Sequence, residues 1–435
     1  MDELLNERRL GWRQITIALL CLLVLAIDGL DYQMIAYVGP LVIADFGISK
    51  AELGTTISAA LIGMAIGAIV GGPIGDRIGR KPAIVATAIF FGLTTVATGF
   101  AGNATELFLL RLVSGLGFGV AFPNAFALIS EWMPTRYRTM AVSVGAIGSA
   151  VGGLAGAGVA ALVIPAFGWR ACFQFSGGFT LLAAVLLALL LLESPDYLLK
   201  AGRRETLERN LRIAFGPVEL PPAPAVEVKR AAPPAIITSR RYLRTNLALW
   251  ISAIGYSISS FGTYSWTTTI LTSAGHSLNS ALLGSSIYSS LALVGPLVSG
   301  AIAIYLSART VLLSLSVIWI GATIALLSTL LTHGDPLFLF LSLGVIGYCA
   351  GSFAAVLYAA AASLYEPAGR STGIGATIGV TRICGMVAAA VGGALLTVDP
   401  SFRAFYISMA LLLAVSMLGL LALPRVPAHS EQGEL

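Results

Sequence analysis

The chain has 435 residues, 57% hydrophobic and 11% charged, with a formal net charge of +5. Soluble domains carry about 25% charged residues, so this composition excludes an ordinary soluble domain, and basic residues confined largely to loops give no reason to expect nucleic acid. Three His and four Cys, with no CxxC pair, offer neither a metal set nor a nucleophile–base pair, so no enzyme activity, metal or cofactor is expected.

A membrane-spanning helix needs about 20 mostly apolar residues. The apolar runs predict helices at 14–38, 52–73, 82–101, 106–131, 139–163 and 170–192, and again at 246–270, 280–305, 309–332, 337–364, 371–396 and 402–423. The expected fold is all-α: twelve transmembrane helices in two pseudo-symmetric six-helix bundles, 1–192 and 246–435, joined by a cytoplasmic linker, 193–245. The first run is too long for a signal-peptide core and reads as a retained helix. Twenty-one of the 26 Lys/Arg fall on predicted inner segments and three (Lys50, Arg170, Arg403) on outer ones. That bias places both termini in the cytoplasm of a multi-pass protein of the inner (plasma) membrane, with the lipid bilayer as its solvent. A single chain is expected to suffice for function.

In the first predicted helix, Asp28 and Asp31 interrupt the apolar run "LAIDGLDYQMIAY". A central Asp costs roughly 2.5–3.5 kcal/mol, so both need a reason. At 1.5 Å per residue they lie about 21 and 25 Å from the inner surface, level with Arg111, which descends about 8 Å from outside on the fourth helix. Three residues apart, the two acids share a face. Two close carboxylates resist ionising together, which suits a proton-coupling site of Asp28, Asp31 and Arg111. The bland alternative is a structural Asp–Arg cluster. Gly29 between the acids is expected to leave room for water or substrate.

The loop "GGPIGDRIGRKPA" between the second and third helices carries a G-x-x-x-D-R-x-G-R-K pattern from Gly72, with Asp76, Arg77 and Arg80. Its second-half counterpart, "GAIAIYLSART", keeps only Arg309. Glycines 63, 67, 71 and 75 recur every fourth residue on the second helix, and 148, 152 and 156 on the fifth, a spacing that permits close helix packing. "GLGFG" at Gly115 and "GYCAG" at Gly347 occupy the fourth helix of each half, a weak internal repeat. The linker segment "RRETLERNLRIAF" reads as a short amphipathic helix on the inner membrane face.

The seventh helix is unusually polar and aromatic: "GYSISSFGTYSWTTTI". Tyr256, Tyr264 and Trp266, with Asn124 on the fourth helix, Tyr288 on the eighth and Tyr348 on the tenth, are candidates to line a substrate cavity. Tyr264 and Trp266 alternatively belong to the outer interfacial belt. Arg382 rises about 18 Å into the eleventh helix, close to the midplane. Its planar fork suits a carboxylate, and backbone carbonyls or a water-filled cavity are the alternative. With both acids ionised, the charges of Asp28, Asp31, Arg111 and Arg382 cancel. A monoanion unbalances them and one proton restores the balance, which points to anion–proton symport.

The loop pattern resembles the signature of the major facilitator superfamily. D-G-x-D (Asp28, Gly29, Asp31), the loop, Arg111 with Glu131 at the two ends of the fourth helix, and Arg370 and Arg382 on the eleventh are similar to the aromatic acid:H+ symporter family. The resemblance implies alternating access and import of benzoates, hydroxybenzoates and related acids, with a small aromatic carboxylate and protons as partners. It implies a conformational latch of Gly72, Asp76, Arg77, Arg80, Glu131 and Arg370, and transport roles for Asp28, Asp31 and Arg382. A nicotinate importer would carry the same charges. A drug or metabolite exporter shares the fold, but Ser149 stands where exporters usually carry Pro.

Overall fold

The computed structural model describes residues 10–216, 240–302, 305–365 and 370–423. They form helices α1 (Trp12–Phe46), α2 (Lys50–Ile78), α3 (Arg80–Thr98), α4 (Ala104–Trp132), α5 (Thr135–Leu190), α6 (Pro195–Lys200), α7 (Arg204–Phe215), α8 (Arg240–Ser273), α9 (Leu278–Ile302), α10 (Ala308–Thr332), α11 (Pro336–Leu364), α12 (Arg370–Val398) and α13 (Arg403–Ala422). Among the described residues there is no strand. Ten of the helices are long and apolar enough to cross a membrane. In a bilayer every backbone N–H and C=O must be satisfied within the chain, which is why the apolar runs resolve as helices. Their outer faces are correspondingly greasy, with Ile69, Leu162 and Leu189 exposed.

Three departures from the predicted elements have simple causes. Residues 139–163 and 170–192, predicted as two helices, run together as the 56-residue α5, broken at Gly168, where φ is 76°. A side chain would be strained there, and the bend divides a run nearly three times the length one crossing needs. Helix α1 continues two turns past its predicted end because Pro40 is carried inside it. Helix α8 is not among the ten apolar spans: Asn246 and its Ser and Thr residues lower its hydropathy.

The chain divides into two compact units, residues 1–35 with 59–229, and 36–58 with 230–435. The boundary therefore runs through α1 and α2. In the first unit the predicted glycine stripe on α2 meets α4 backbone to backbone. A Cβ on Gly63 would lie 2.1 Å from the Leu112 carbonyl, and one on Gly67 2.3 Å from that of Leu116. The α4 glycines answer in kind: Gly115 faces the Ala60 carbonyl and Gly119 that of Met64. In the second unit Gly347 and Gly351 on α11 meet the Tyr288 and Ala292 carbonyls of α9 in the same way. The repeat read from "GLGFG" and "GYCAG" is thus a repeated packing joint.

A second joint repeats in the two units. Gln14 Nε2 donates to the Trp132 carbonyl (2.6 Å), clamping the start of α1 to the end of α4. Tyr365 Oη donates to Asn246 Oδ1 (2.5 Å), clamping the start of α8 to the end of α11. In the sequence each aromatic stands two residues before a proline, Pro134 and Pro367.

The amphipathic helix α7 forms as expected, but its apolar face turns to protein. Leu207 and Leu211 are fully buried and Phe215 meets the Trp132 ring at 6.4 Å. Its charged residues, not its leucines, are what it offers outward.

Candidate functional site

In the first unit α1 brings both acids to one place. Asp31 Oδ2 accepts from Arg111 Nη1 at 2.7 Å, and Arg111 Nη2 donates to the Asp31 backbone carbonyl at 3.2 Å. Thr95 on α3 donates to the other carboxylate oxygen at 3.2 Å. The guanidinium lies 5.5 Å from the Phe173 ring, within cation–π range. Arg111 is 0% exposed, Asp31 3% and Asp28 5%. Asp28 Oδ2 accepts a long bond, 3.5 Å, from Ser149 on α5. Both acids, Arg111 and Phe118 line a cavity of about 10 Å³, room for about one water.

Gly29 does not leave room for water or substrate. A Cβ there would sit 1.8 Å from the Ser149 carbonyl, so the missing side chain lets α1 lie against α5. Gly152 serves the same seam from the other side, facing the Ala26 carbonyl.

The signature loop is organised by one side chain. Arg80 pairs with Asp76 (2.5 Å) and with Glu131 (3.6 Å), donates to Asn124 Oδ1 (3.0 Å) and reaches the Gly72 carbonyl (3.4 Å). Asn124, expected in the substrate cavity, belongs here instead. Its amide donates to the Gly71 and Val120 carbonyls, and Gly75 exists because a Cβ would strike Asn124 Oδ1. Two residues outside the expected latch bond into this network. Ser194 donates to Glu131, and Glu193 accepts from the Lys81 N–H at the start of α3 (3.0 Å), where a helix N-terminus favours an anion. The Arg77 carbonyl accepts from Tyr197. Arg370 opens α12, and its side chain lies outside the described residues.

In the second unit Arg382 is half-buried on α12, close enough to the Tyr256 and Tyr358 phenols to act on them electrostatically. Tyr358 Oη lies 3.1 Å from Thr381 Oγ1, and Ser257 pins the Thr381 carbonyl to α8 at 2.5 Å. The Tyr256 ring stacks on Phe353 (5.1 Å, 7°). Tyr264 stacks on Tyr288 (5.3 Å), and the Tyr37 hydroxyl bonds to Tyr264 and Ser289. Tyr358 and Tyr37 escaped the sequence reading because a lone Tyr in an apolar run carries no signal of its own.

Trp266, expected against substrate or in the interfacial belt, is in neither place. It is 0% exposed, its indole N–H donates to the Ala389 carbonyl (3.1 Å), and the ring fills the gap beside Gly54, Gly392 and Gly393. Several α8 hydroxyls are likewise helix glue: Ser252 bonds to Ser416 O and Ser259 to Met409 O. Tyr348 is half-buried on α11, where its carbonyl receives the close approach of Gly295. Among the described residues no group of His, Cys, Asp and Glu could hold a metal.

Buried, charge-compensated side chains among helices long and apolar enough to cross a membrane define a polytopic membrane protein. The chain belongs to the major facilitator superfamily: residues 21–314 and 275–434 match the description "Major Facilitator Superfamily". It is 29% identical to the 4-hydroxybenzoate transporter PcaK of Pseudomonas aeruginosa over 100% of this chain and 97% of that protein. It is also 29% identical to a gallate transporter of Pseudomonas putida, over 91% of this chain and 89% of that one. Among solved structures, a D-xylose–proton symporter superposes with a TM-score of 0.72 at 17% identity, covering 95% of this chain and 98% of that one, which supports the shared fold. Family and relatives are transporters, and this chain is a multi-pass membrane transporter of that class.

Proposed function

We propose that the protein imports a small aromatic carboxylate across the inner membrane by proton symport, with twelve spans in two six-helix halves and both termini cytoplasmic. One observation carries this reading: two buried carboxylates, Asp28 and Asp31, lining one cavity with Arg111 in one unit, and a half-buried guanidinium set among phenols in the other. Arg111 and Asp31 offset one another. Asp28 shares their cavity as a second carboxylate and is the group that takes up the proton. Arg382 takes the substrate carboxylate, and the stacked rings of Tyr256, Phe353, Tyr264 and Tyr288 suit a planar aromatic body. Binding an anion and a proton together leaves the buried charge unchanged, which is the physical basis of coupling. Alternating access follows from rocking of the halves, with Asp76, Arg80 and Glu131 as the cytoplasmic latch.

The test is uptake into proteoliposomes. Radiolabelled benzoate or 4-hydroxybenzoate should accumulate against its gradient when the outside is acid, and collapse of the pH gradient should reduce accumulation to equilibration. Accumulation that ignores the pH gradient removes proton coupling from the reading. Thermal-shift measurements with Arg382→Ala complete the test: an unchanged ligand shift in that variant rules out the anchor assignment.

A further inference from the structure

We infer that the joint between the start of α1 and the end of α7 is a docking surface for the headgroup of an anionic phospholipid of the inner leaflet. The inference rests on the reading that both termini are cytoplasmic, which puts this joint at the inner membrane surface.

A Cβ on Gly11 would lie 3.6 Å from the Ala214 carbonyl oxygen, so the start of α1 lies against the end of α7. The end of α4 fastens both: Gln14 bonds to the Trp132 carbonyl, and Phe215 meets the Trp132 ring. Neither segment carries an acid here. None occurs from Leu10 to Ile27 or from Arg209 to Gly216, whereas Arg13, Arg209 and Arg212 do. Arg209 and Arg212 are exposed and, three residues apart, share a face of α7. The one ion pair on α7 among the described residues, Arg204 with Glu208 (3.8 Å), takes neither of them. Arg209 also stands near enough to Lys81 for the two cations to repel. The Arg13 guanidinium lies 4.0 Å over the Trp12 ring, and its Nε has no hydrogen-bond partner among the described residues. Three cations at one seam, with no acid in either segment of it, leave an excess of positive charge that an anion offsets.

The level of the seam identifies the anion. Trp12, Ile15 and Leu19 are 65%, 45% and 57% exposed and, at i, i+3 and i+7, form one face of α1. This stripe is the face α1 offers to acyl chains, and it begins with a Trp, the side chain enriched at headgroup depth. The cations of the joint therefore stand level with the headgroups of the lipids that cover the stripe. A soluble anion would meet the cations alone. A phospholipid meets both, with its phosphate on the arginines and its chains along Ile15 and Leu19. Arginine suits phosphate because its planar fork donates two parallel bonds. Helix α7 itself does not insert, since Leu207 and Leu211 are buried against protein, so its contact with the membrane is through charge.

Binding of fluorescent phosphatidylglycerol to the purified full-length protein in neutral detergent, followed by anisotropy, tests this, with phosphatidylcholine of the same chains as the comparison. The wild-type protein should bind phosphatidylglycerol more tightly by at least about tenfold, and Arg209→Gln and Arg212→Gln should each weaken it by about fivefold. Phosphatidylcholine affinity should stay within about twofold in both variants. Arg403→Gln, which removes an exposed Arg from the start of α13, should leave both lipids unchanged. Because Arg209 and Arg212 are exposed, the variants should melt as the wild type does. Equal affinity for the two lipids, or a loss in Arg403→Gln matching those in the α7 variants, overturns the site. Displacement of the lipid by millimolar inorganic phosphate assigns the cations to a free anion and overturns the lipid reading. Sidedness is read separately. Ala201→Cys, at an exposed position between α6 and α7, should react with a membrane-impermeant thiol reagent in inside-out vesicles and not in intact cells. Reaction in intact cells overturns the cytoplasmic reading, and with it the inner-leaflet assignment, while the lipid affinity stands.

Discussion

Asp31 and Arg111 form a 2.7 Å ion pair between α1 and α4 in which neither side chain is more than 5% exposed. Removing one partner strands the other as a buried charge, at a cost of about 3–5 kcal/mol, whereas removing both costs far less. Asp31→Asn and Arg111→Gln should each lower the melting temperature of the purified protein sharply, and the double variant should recover much of the loss. Additive losses in this cycle would mean the two side chains do not stabilise one another.

Asp28 lines the same cavity and accepts from Ser149. If it carries the proton, Asp28→Asn fixes the site in a protonated-like state. The variant should still exchange labelled for unlabelled substrate across the bilayer, because exchange needs no net proton movement. It should fail to accumulate substrate under an inward pH gradient. Retained accumulation would transfer the proton to Asp31.

These two residues also measure what the sequence makes legible. Counting 1.5 Å per residue from each helix start was enough to set Asp31 level with Arg111, and the pair is there. The same counting could not separate Asp28 from Asp31. They differ by only about 60° around α1, and the bond from Ser149 to Asp28 depends on the approach of α5, which is seated against Gly29 and which the sequence does not display. Asn124 and Trp266 mislead for a related reason. A polar or aromatic side chain in an apolar run signals an unusual need, yet the need here was met by Arg80 and by the Ala389 carbonyl. Thr95 gave no signal, since hydroxyls in membrane helices commonly bond to their own backbone.

Arg80 holds four partners on three sides: Asp76, Glu131, Asn124 and the Gly72 carbonyl. A lysine keeps the charge but lacks the planar fork that reaches them together. Charge-assisted hydrogen bonds are worth about 1.5–3 kcal/mol each, so Arg80→Lys should slow transport about tenfold or more while substrate affinity is retained. Asn124→Ala should show the same pattern more weakly. A change confined to affinity in Asn124→Ala would return that residue to the substrate site.

Asp399, in the loop before α13, accepts from the Ala404 N–H at 2.7 Å and from Ser401, and these bonds hold its carboxyl below the usual carboxylate range. A lowered native pKa stabilises the fold above the unfolded value, near 3.9, and that contribution is lost as pH falls through the native one. Melting temperature should therefore fall less steeply below about pH 4 in Asp399→Asn than in the wild-type protein. The group is only partly buried, so the difference should be small. Parallel acid limbs in the two proteins would show that these bonds do not hold in solution.

Gly29 and Gly72 separate packing from every other use of glycine. A Cβ on Gly29 would fall 1.8 Å from the Ser149 carbonyl, whereas one on Gly72 meets nothing within 4 Å. Backbone cannot yield as a flexible side chain can, so Gly29→Ala must push α1 away from α5, with overpacking costs of about 1–3 kcal/mol or more. The same push moves Asp28 away from Ser149 and strains the Asp31–Arg111 pair. Gly29→Ala should therefore melt markedly lower and lose proton-driven accumulation together, while Gly72→Ala keeps the wild-type melting temperature. Equal melting of the two variants would show that the α1–α5 seam is looser than the backbone contact implies.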